Sequence, residues 1–577
     1  MTKKIKQLME AGAWLLGAVL LRRLFIPFGI ELCDTGFFLT NQRGIHVYGE
    51  LCPSGFMTFF SDVVGGLWLG LLGSPSWAWA RLGGAVVGGV TVAITYWTFK
   101  DKYRSKSLRA VLLLPTLLVG GGIIDYYTFP SVLLSLIFCI LYRVCWQEVS
   151  RLSAIGALLI GSLLWLGVLS RFPLILLPFG CLLVLLLGIV TDRIPLSSRK
   201  HLFLGAFGFF AAMIATFLVL KWSGMYAPVI QDVQDFLGSR NSVGQDDSHN
   251  LSLLFSLYIN RTMKATIGAA IWLGVVYLVG SKKIARLRFA SWVLLLGLGW
   301  LMMFFKVRDH YAGIPRFREI LVFSLAFICL HSFWVQRKIN PRESFLSFIS
   351  VVLMMALPVG SNAGFALALV GSSACICNLF LGMQAVGNAC QSAFLQNIAR
   401  VRLEFAASIV ITLLSFTNGS GMLYGVAAHL VGGGPVNMTR WYTSQTLAGM
   451  RGEPEYGGEI DTVIEAVRRS VKKDETVFAL NYIGGFNYLT ETRPFLKTTL
   501  IGAANTNVVL SSYNSARETR GDIKALVWAR FLENDAVLVM LKEKAISDYN
   551  LTRIHRGKFF DVYSADQGVV RDVGSGS

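Results

Sequence analysis

Apolar runs fill most of the first 417 residues and follow one another with only short polar breaks. Val111–Ile124, Ala154–Leu169, Leu174–Val190 and Ile267–Val279 are four of them. Several approach the ~20 residues that cross ~30 Å of hydrocarbon at 1.5 Å per residue. A large soluble core does not absorb so many helices that are apolar all round. The pattern predicts a polytopic α-helical membrane protein. The first two crossings are expected at about residues 9–29 and 76–99. Further crossings are expected at about 108–124, 129–145, 153–169, 173–191, 202–221, 264–280, 289–305, 317–335, 345–361, 365–382 and 402–417, about 13 transmembrane helices in all. Within 345–382, Pro358-Val-Gly-Ser-Asn-Ala-Gly reads either as a turn or as a broken helix. Past residue 417 the pattern changes. Asp461–Lys472 has the spacing of an amphipathic helix, Thr476–Asn481 and Ala536–Leu541 read as strands, and Arg553–Tyr563 reads as a strand or hairpin. The chain therefore divides into a transmembrane domain over 1–417 and a soluble C-terminal α/β domain over 418–577. No internal repeat or low-complexity segment stands out.

Composition agrees. Of 577 residues 54% are apolar and 15% charged, where a soluble domain carries about a quarter charged. The net charge of +19 raises the question of nucleic acid, and its location answers it. Residues 418–577 hold 18 Lys and Arg against 17 Asp and Glu, which leaves 35 basic and 17 acidic residues in the first 417. An excess that belongs to the membrane part, much of it in short loops between apolar runs, follows the positive-inside rule, so no nucleic-acid partner is expected.

The same rule orients the chain. Lys3, Lys4 and Lys6 place the N-terminus in the cytoplasm, and with no small-residue cleavage site behind it the first helix is expected to be retained. If the apolar segment 57–73 crossed the membrane, the cluster Lys100–Arg109 would lie outside. It is therefore expected on the outer surface, within a stretch of outer-loop surface helices at about 31–73. An odd number of crossings then puts the C-terminal domain outside, which in a bacterial inner membrane is the periplasm. The terminal Gly574-Ser-Gly-Ser reads as an appended tail.

Seven of the nine cysteines fall in predicted membrane helices or an inner loop. Cys33 and Cys52 alone lie outside, both in the first outer loop. A disulfide between them suits an oxidising compartment and would staple that loop; the plainer reading is two unrelated thiols. The five Asn-x-Ser/Thr triplets beginning at Asn250, Asn260, Asn418, Asn437 and Asn550 all fall outside in this topology.

Ionisable groups gather at the outer face. The first outer loop reads Glu31-Leu-Cys-Asp34-Thr-Gly-Phe-Phe-Leu-Thr-Asn-Gln-Arg43-Gly-Ile-His46, with Asp34 just beyond helix 1. The next outer turn carries Asp125-Tyr-Tyr, and a later one Lys306-Val-Arg308-Asp-His310-Tyr, then Arg316 and Arg318. Acidic groups beside a basic cluster suit general-base chemistry next to a phosphate. Taken singly, each is better explained as a solvated loop charge, and nothing chooses among Arg308, Arg316 and Arg318. Asp246-Asp-Ser-His249 reads as a polar loop or a weak metal motif.

Three stretches carry a resemblance. They are Asp34-Thr-Gly-Phe-Phe-Leu, the surface segment ending Gly-Leu-Trp-Leu-Gly-Leu-Leu-Gly73, and Trp77-Ala-Trp-Ala-Arg81-Leu-Gly-Gly opening helix 2. Together they resemble the GT-C glycosyltransferases, most closely the branch of the protein O-mannosyltransferases and the lipid A aminoarabinose transferase. Members carry an acidic pair in the first outer loop, and here its second residue is Thr35. The resemblance implies a polyprenyl-phosphate-linked sugar donor, a lipid, glycan or protein acceptor on the outer face, and surrounding membrane lipids. It implies Asp34 as the catalytic base and Asp125 as a second catalytic acidic residue. Arg43, Lys306, Arg308, His310, Arg316 and Arg318 become candidates for holding the donor phosphate, and Arg81 a structural residue. No metal and no other cofactor is expected.

Three other classes compete. A transporter or flippase should show repeated halves and charges near the midplane, whereas here the charges lie at the outer ends. A lipid-linked glycan polymerase or ligase would lack the early aspartate. A receptor or assembly protein working through its tail does not explain so elaborate a membrane part.

Overall fold

The computed structural model describes residues 3–23, 26–50, 55–73, 75–99, 122–146, 150–179, 196–242, 341–356, 438–479, 483–496, 506–533 and 535–565, with isolated positions between 262 and 334. The crossings expected at about 289–305, 365–382 and 402–417 lie outside the described residues, as do most of those at 108–124, 173–191, 264–280 and 317–335. So does the expected domain boundary at 417/418.

The membrane part opens with α1 (Lys3–Arg23) and continues with α2 (Asp34–Arg43), α3 (Phe59–Gly70), α4 (Trp77–Phe99), α5 (Thr128–Trp146), α6 (Ser150–Ser170), α7 (Leu196–Trp222), α8 (Tyr226–Ser242) and α9 (Pro341–Ala356). Among the described residues three helices are long and apolar enough to cross a membrane: Trp77–Thr98, Ser153–Ser170 and Lys200–Trp222. Phe203, Phe207, Phe210 and Leu218 of α7 are exposed, the outward apolar face that lipid covers. The other face of α7 packs on α6. The Ser162 hydroxyl donates to the Gly208 carbonyl (3.1 Å) and Trp165 Nε1 to Thr216 Oγ1 (2.9 Å). A Cβ on Gly208 would collide with the Leu158 backbone, the small-residue packing that brings membrane helices together.

α3 has 12 residues, about 18 Å of helix, too short to span the hydrocarbon. Trp68 of α3 and Trp79 of α4 stack at 4.5 Å, and each indole N–H donates to the other's backbone carbonyl at 2.9 Å. This doubled clasp folds α3 back against the start of α4.

The C-terminal domain holds a two-stranded ribbon, β1 (Arg440–Trp441) with β2 (Arg451–Gly452), and a five-stranded sheet. Its strands are β3 (Thr476–Ala479), β4 (Arg493–Pro494), β5 (Ala525–Ala529), β6 (Thr552–Arg556) and β7 (Phe560–Ser564), in the order β4-β3-β5-β7-β6. β3 runs parallel to β4 and β5, while β7 is antiparallel to β5 and β6. Every residue of β3, β5 and β7 is buried, which is why Ala-Leu-Val-Trp-Ala in β5 is apolar throughout instead of alternating. Helices α10 (Pro454–Ser470), α11 (Gly485–Thr490), α12 (Thr506–Arg520) and α13 (Ala536–Asp548) complete the domain. The Glu453 side chain caps α10 by accepting from Tyr456 N (2.7 Å), with Pro454 in the first turn.

One expectation fails. Ala536–Leu541 is the first half of α13, not a strand. The Asp535 carboxylate accepts from the amides of Val537 and Leu538, both at 3.1 Å, and so starts a helix that Leu, Met, Lys, Glu and Ala prolong. Arg553–Tyr563 takes the hairpin alternative, as β6 and β7.

Candidate functional site

One hydrophobic core runs through both parts of the molecule. Leu32, Phe38, Leu39 and Trp77 of the membrane part share it with Phe486, Tyr488 and Val477 of the C-terminal domain. The first outer loop is therefore a packed element between two domains, and α2 is its rigid part. Asp34 is the first residue of α2; its side chain lies outside the described residues. The Glu31 carboxylate turns back to the start of this helix and accepts from Thr35 N at 2.5 Å. Glu31 thus brings a carboxylate to the amide of the residue that follows Asp34.

The C-terminal domain holds α2 by several bonds. Gly485 N donates to the Leu32 carbonyl (3.0 Å) and Thr40 Oγ1 to the Gly484 carbonyl (2.9 Å). A Cβ on Gly36 would lie 2.5 Å from Gly485 Cα, so the two backbones touch. Arg43 Nη2 pairs with Asp474 Oδ1 at 2.8 Å, and Tyr48 OH donates to the same oxygen at 2.5 Å. Burial, then the bond to Asp474, push the Tyr48 hydroxyl well above its ordinary pKa. Glu50 pairs with Arg493 and, at 2.8 Å, with Arg520. Burial, aided by the Arg493 charge, lowers the pKa of Arg520 to about 10.

On its other side α2 meets α3 and the turn before α5. Gln42 Nε2 donates to the Ile124 carbonyl at 2.5 Å. Gly66 of α3 allows this approach, since a Cβ there would stand 2.7 Å from the Gln42 carbonyl oxygen. Next in that turn is Asp125, buried, whose Oδ1 caps α5 by accepting from Tyr127 N (2.9 Å) and Thr128 N (2.6 Å). Burial raises its pKa, while those amide bonds and the Arg171 charge pull the other way. Arg171 is itself buried, 5.2 and 4.9 Å from the ring centroids of Tyr126 and Tyr127.

Asp62 of α3 joins this group. It is fully buried, Oδ2 accepts from Thr58 Oγ1 at 2.7 Å, and Oδ1 has no hydrogen-bond partner among the described residues. Burial pushes its pKa up to about 8, the Asp125 charge adds to this, and the Thr58 bond opposes it. Burial and the nearby Asp125 thus both favour the neutral form of the Asp62 carboxyl.

The structure thus brings together Asp34 (by its backbone), Arg43 and Asp125 around α2. Arg81 lies just behind them, donating through Nη1 to the carbonyls of Ile26 (2.9 Å) and Phe28 (2.6 Å) and so clamping the chain that leaves α1. Arg43 is turned to Asp474; its Nη1 is buried and has no partner among the described residues. Lys306, Arg308, His310, Arg316, Arg318, Cys52 and the 246–249 segment lie outside the described residues, so the Cys33–Cys52 pairing does too. Cys33 itself is buried. Glu31, Asp62 and Arg171 are absent from the sequence-derived set. The one signal for Asp62 is a lone acid inside the apolar Phe59-Phe-Ser-Asp-Val-Val.

Among solved structures, the chain is similar to ArnT from Cupriavidus metallidurans bound to undecaprenyl phosphate, with 10% identity and a TM-score of 0.52 over 96% of this chain and 98% of that one. ArnT from the same organism in the apo state matches over the same shares, with 11% identity and a TM-score of 0.50. The oligosaccharyltransferase AglB from Archaeoglobus fulgidus, in complex with an inhibitory peptide and a dolichol-phosphate, aligns at a TM-score of 0.47 and 12% identity over 96% of this chain and 74% of that one. A scan against protein-family models and a search of curated proteins found no match. The chain shares the fold of the ArnT structures over nearly the whole of both chains.

Proposed function

We propose that the protein is a membrane glycosyltransferase that moves a sugar from a polyprenyl-phosphate-linked donor to an acceptor on the outer face. The observation that carries this reading is the position of Asp34. It opens a helix at the outer end of α1, within a fold shared with ArnT over nearly the whole of both chains. The ArnT structure with undecaprenyl phosphate bears on the kind of donor. With 13 crossings, the C-terminal domain stands in the periplasm of a bacterial inner membrane and α2 beneath it at headgroup level.

In this reading Asp34 takes the proton of the acceptor hydroxyl as its oxygen attacks the anomeric carbon. The bond from that carbon to the phosphate oxygen breaks, and its electron pair leaves with the lipid phosphate. Positive charge is needed where that charge develops. Arg43, through Nη1, and the group Lys306, Arg308, His310, Arg316 and Arg318 are the cations for that task. Asp125 helps build the floor of the site by capping α5 and fixing the turn that α2 rests on. The reading routes no step through a metal.

The test is Asp34→Asn in membranes supplied with a polyprenyl-phosphate sugar. General-base loss predicts transfer slowed at least about 100-fold with the protein still folded. Transfer at the wild-type rate would remove Asp34 from the chemistry.

A further inference from the structure

A cavity of about 680 Å³ opens where α1 ends and the β1–β2 ribbon meets it, with Gly17, Leu20, Arg23, Trp441 and Arg451 in its walls. That is the size of a small-molecule site. Among the described residues none of α2, α3 or the Asp125 turn lines it, so it is separate from the site described above. We propose that it binds the headgroup of an anionic membrane phospholipid, with the phosphate between Arg23 and Arg451.

The charge arrangement argues first. α1 ends in Arg22-Arg23, and the two side chains part company. Arg22 is buried and donates to the Gly84 carbonyl at 3.0 Å, whereas Arg23 is exposed at the cavity. Arg451 is set opposite by its backbone: its amide donates to the Pro27 carbonyl at 2.5 Å, and its carbonyl accepts from Gly29 N at 2.8 Å. Its guanidinium lies 4.0 Å from the centroid of the Trp441 ring, and its buried Nε has no hydrogen-bond partner among the described residues. No carboxylate is among the lining residues. Two guanidiniums aimed into one cavity without a counter-charge call for an anion, and the planar fork of arginine suits phosphate oxygens.

Depth argues second. Leu20 and Gly17 lie about 4.5 and 9 Å below Arg23 along α1. Leu20 and its neighbour Leu16 are about half exposed. Gly17 leaves a groove where a side chain would stand. Trp441, 50% exposed, is the residue type that settles at headgroup level. A ligand here meets cations at one end and hydrocarbon at the other, which describes a phospholipid and not a free anion. Bound there, the lipid would tie the C-terminal domain to the membrane surface beside α1.

The test uses the full-length protein in neutral detergent, with bound lipid read by native mass spectrometry and stability by thermal unfolding. Phosphatidylglycerol should remain bound and raise the unfolding midpoint; phosphatidylcholine with the same acyl chains and inorganic phosphate should not. Arg23→Gln combined with Arg451→Gln should weaken phosphatidylglycerol binding about tenfold, which corresponds to about 1.4 kcal/mol. If that pair unfolds, Arg23→Gln alone, at an exposed position, should still weaken binding several-fold. Equal stabilisation by phosphatidylcholine or by inorganic phosphate overturns the proposal, as does undiminished binding to the variants. Parallel loss of phosphatidylglycerol and undecaprenyl phosphate in the double variant, with each displacing the other, would make the cavity part of the donor site and overturn it equally.

Discussion

Two helix contacts in this molecule depend on glycine, and they are held in different ways. Between α6 and α7, inside the membrane, glycines let the helices approach and the polar bonds are few and short in reach, Ser162 to Gly208 and Trp165 to Thr216. Between α2 and α11, on the outer face, Gly36 touches Gly485 and the contact is ringed by charge, with Arg43 on Asp474 and Arg493 and Arg520 on Glu50. Lipid offers a side-chain hydroxyl no competing partner, so a single bond suffices there. Water at the outer face competes for every polar group, so that contact needs apolar packing beneath it and several pairs around it.

The strongest way to break this comparison is Gly485→Val. With the Gly36 backbone already in contact, a branched side chain has nowhere to go. Destabilisation of about 3 kcal/mol or more is expected, read as a lowered unfolding midpoint and as protease access to the loop 31–50. A stable variant would mean that the two backbones are not pressed together.

Next in size is a pH effect confined to the outer face. Asp62 has its pKa raised to about 8 by burial, against about 4 in an unfolded chain. The folded protein therefore holds a proton that the unfolded one has lost between these values. Its contribution is full below about pH 4 and falls as pH rises through about 8, with a slope of up to about 1.4 kcal/mol per pH unit. Thermal midpoints followed from pH 5 to 9 should fall, and Asp62→Asn should flatten the profile. An unchanged slope in the variant would assign the effect to another group.

The smallest effects sharpen the contrast. Asp474→Asn should cost about 1 kcal/mol at low salt and less at high salt, because Asp474 is part-exposed. Thr216→Val should cost about 0.6 kcal/mol and show no salt dependence. Unfolding at two ionic strengths separates them, and equal salt sensitivity would erase the distinction.

The elements that the sequence makes legible are those set by long apolar runs. Helices expected at about 76–99, 129–145 and 153–169 appear as Trp77–Phe99, Thr128–Trp146 and Ser150–Ser170, because length and hydrophobicity alone decide them. α8, at Tyr226–Ser242, is polar and escapes that test. β5 and α13 show the limit from the other side: both are continuous apolar runs, and only tertiary pairing for one and the Asp535 cap for the other tell strand from helix. At the site, Asp34, Asp125 and Arg43 are legible as charges on one face. What each touches is not, since Glu50 meets Arg493 and Arg520 across more than 440 residues. Asp62 is visible as a residue type, but its full burial follows from the packing of α3 and from nothing local.

The touch between Gly36 and Gly485 has a consequence in time. About 450 residues separate the two, and a ribosome adding roughly 5–20 residues per second needs roughly 20–90 s to cover them. Through that interval residues 31–50 are already made without the domain they pack against. Their exposed Leu32, Phe38 and Leu39 must wait, or be sheltered, until almost the last part of the chain emerges. The packing around α2 is thus completed near the end of synthesis, and a truncated chain would lack it.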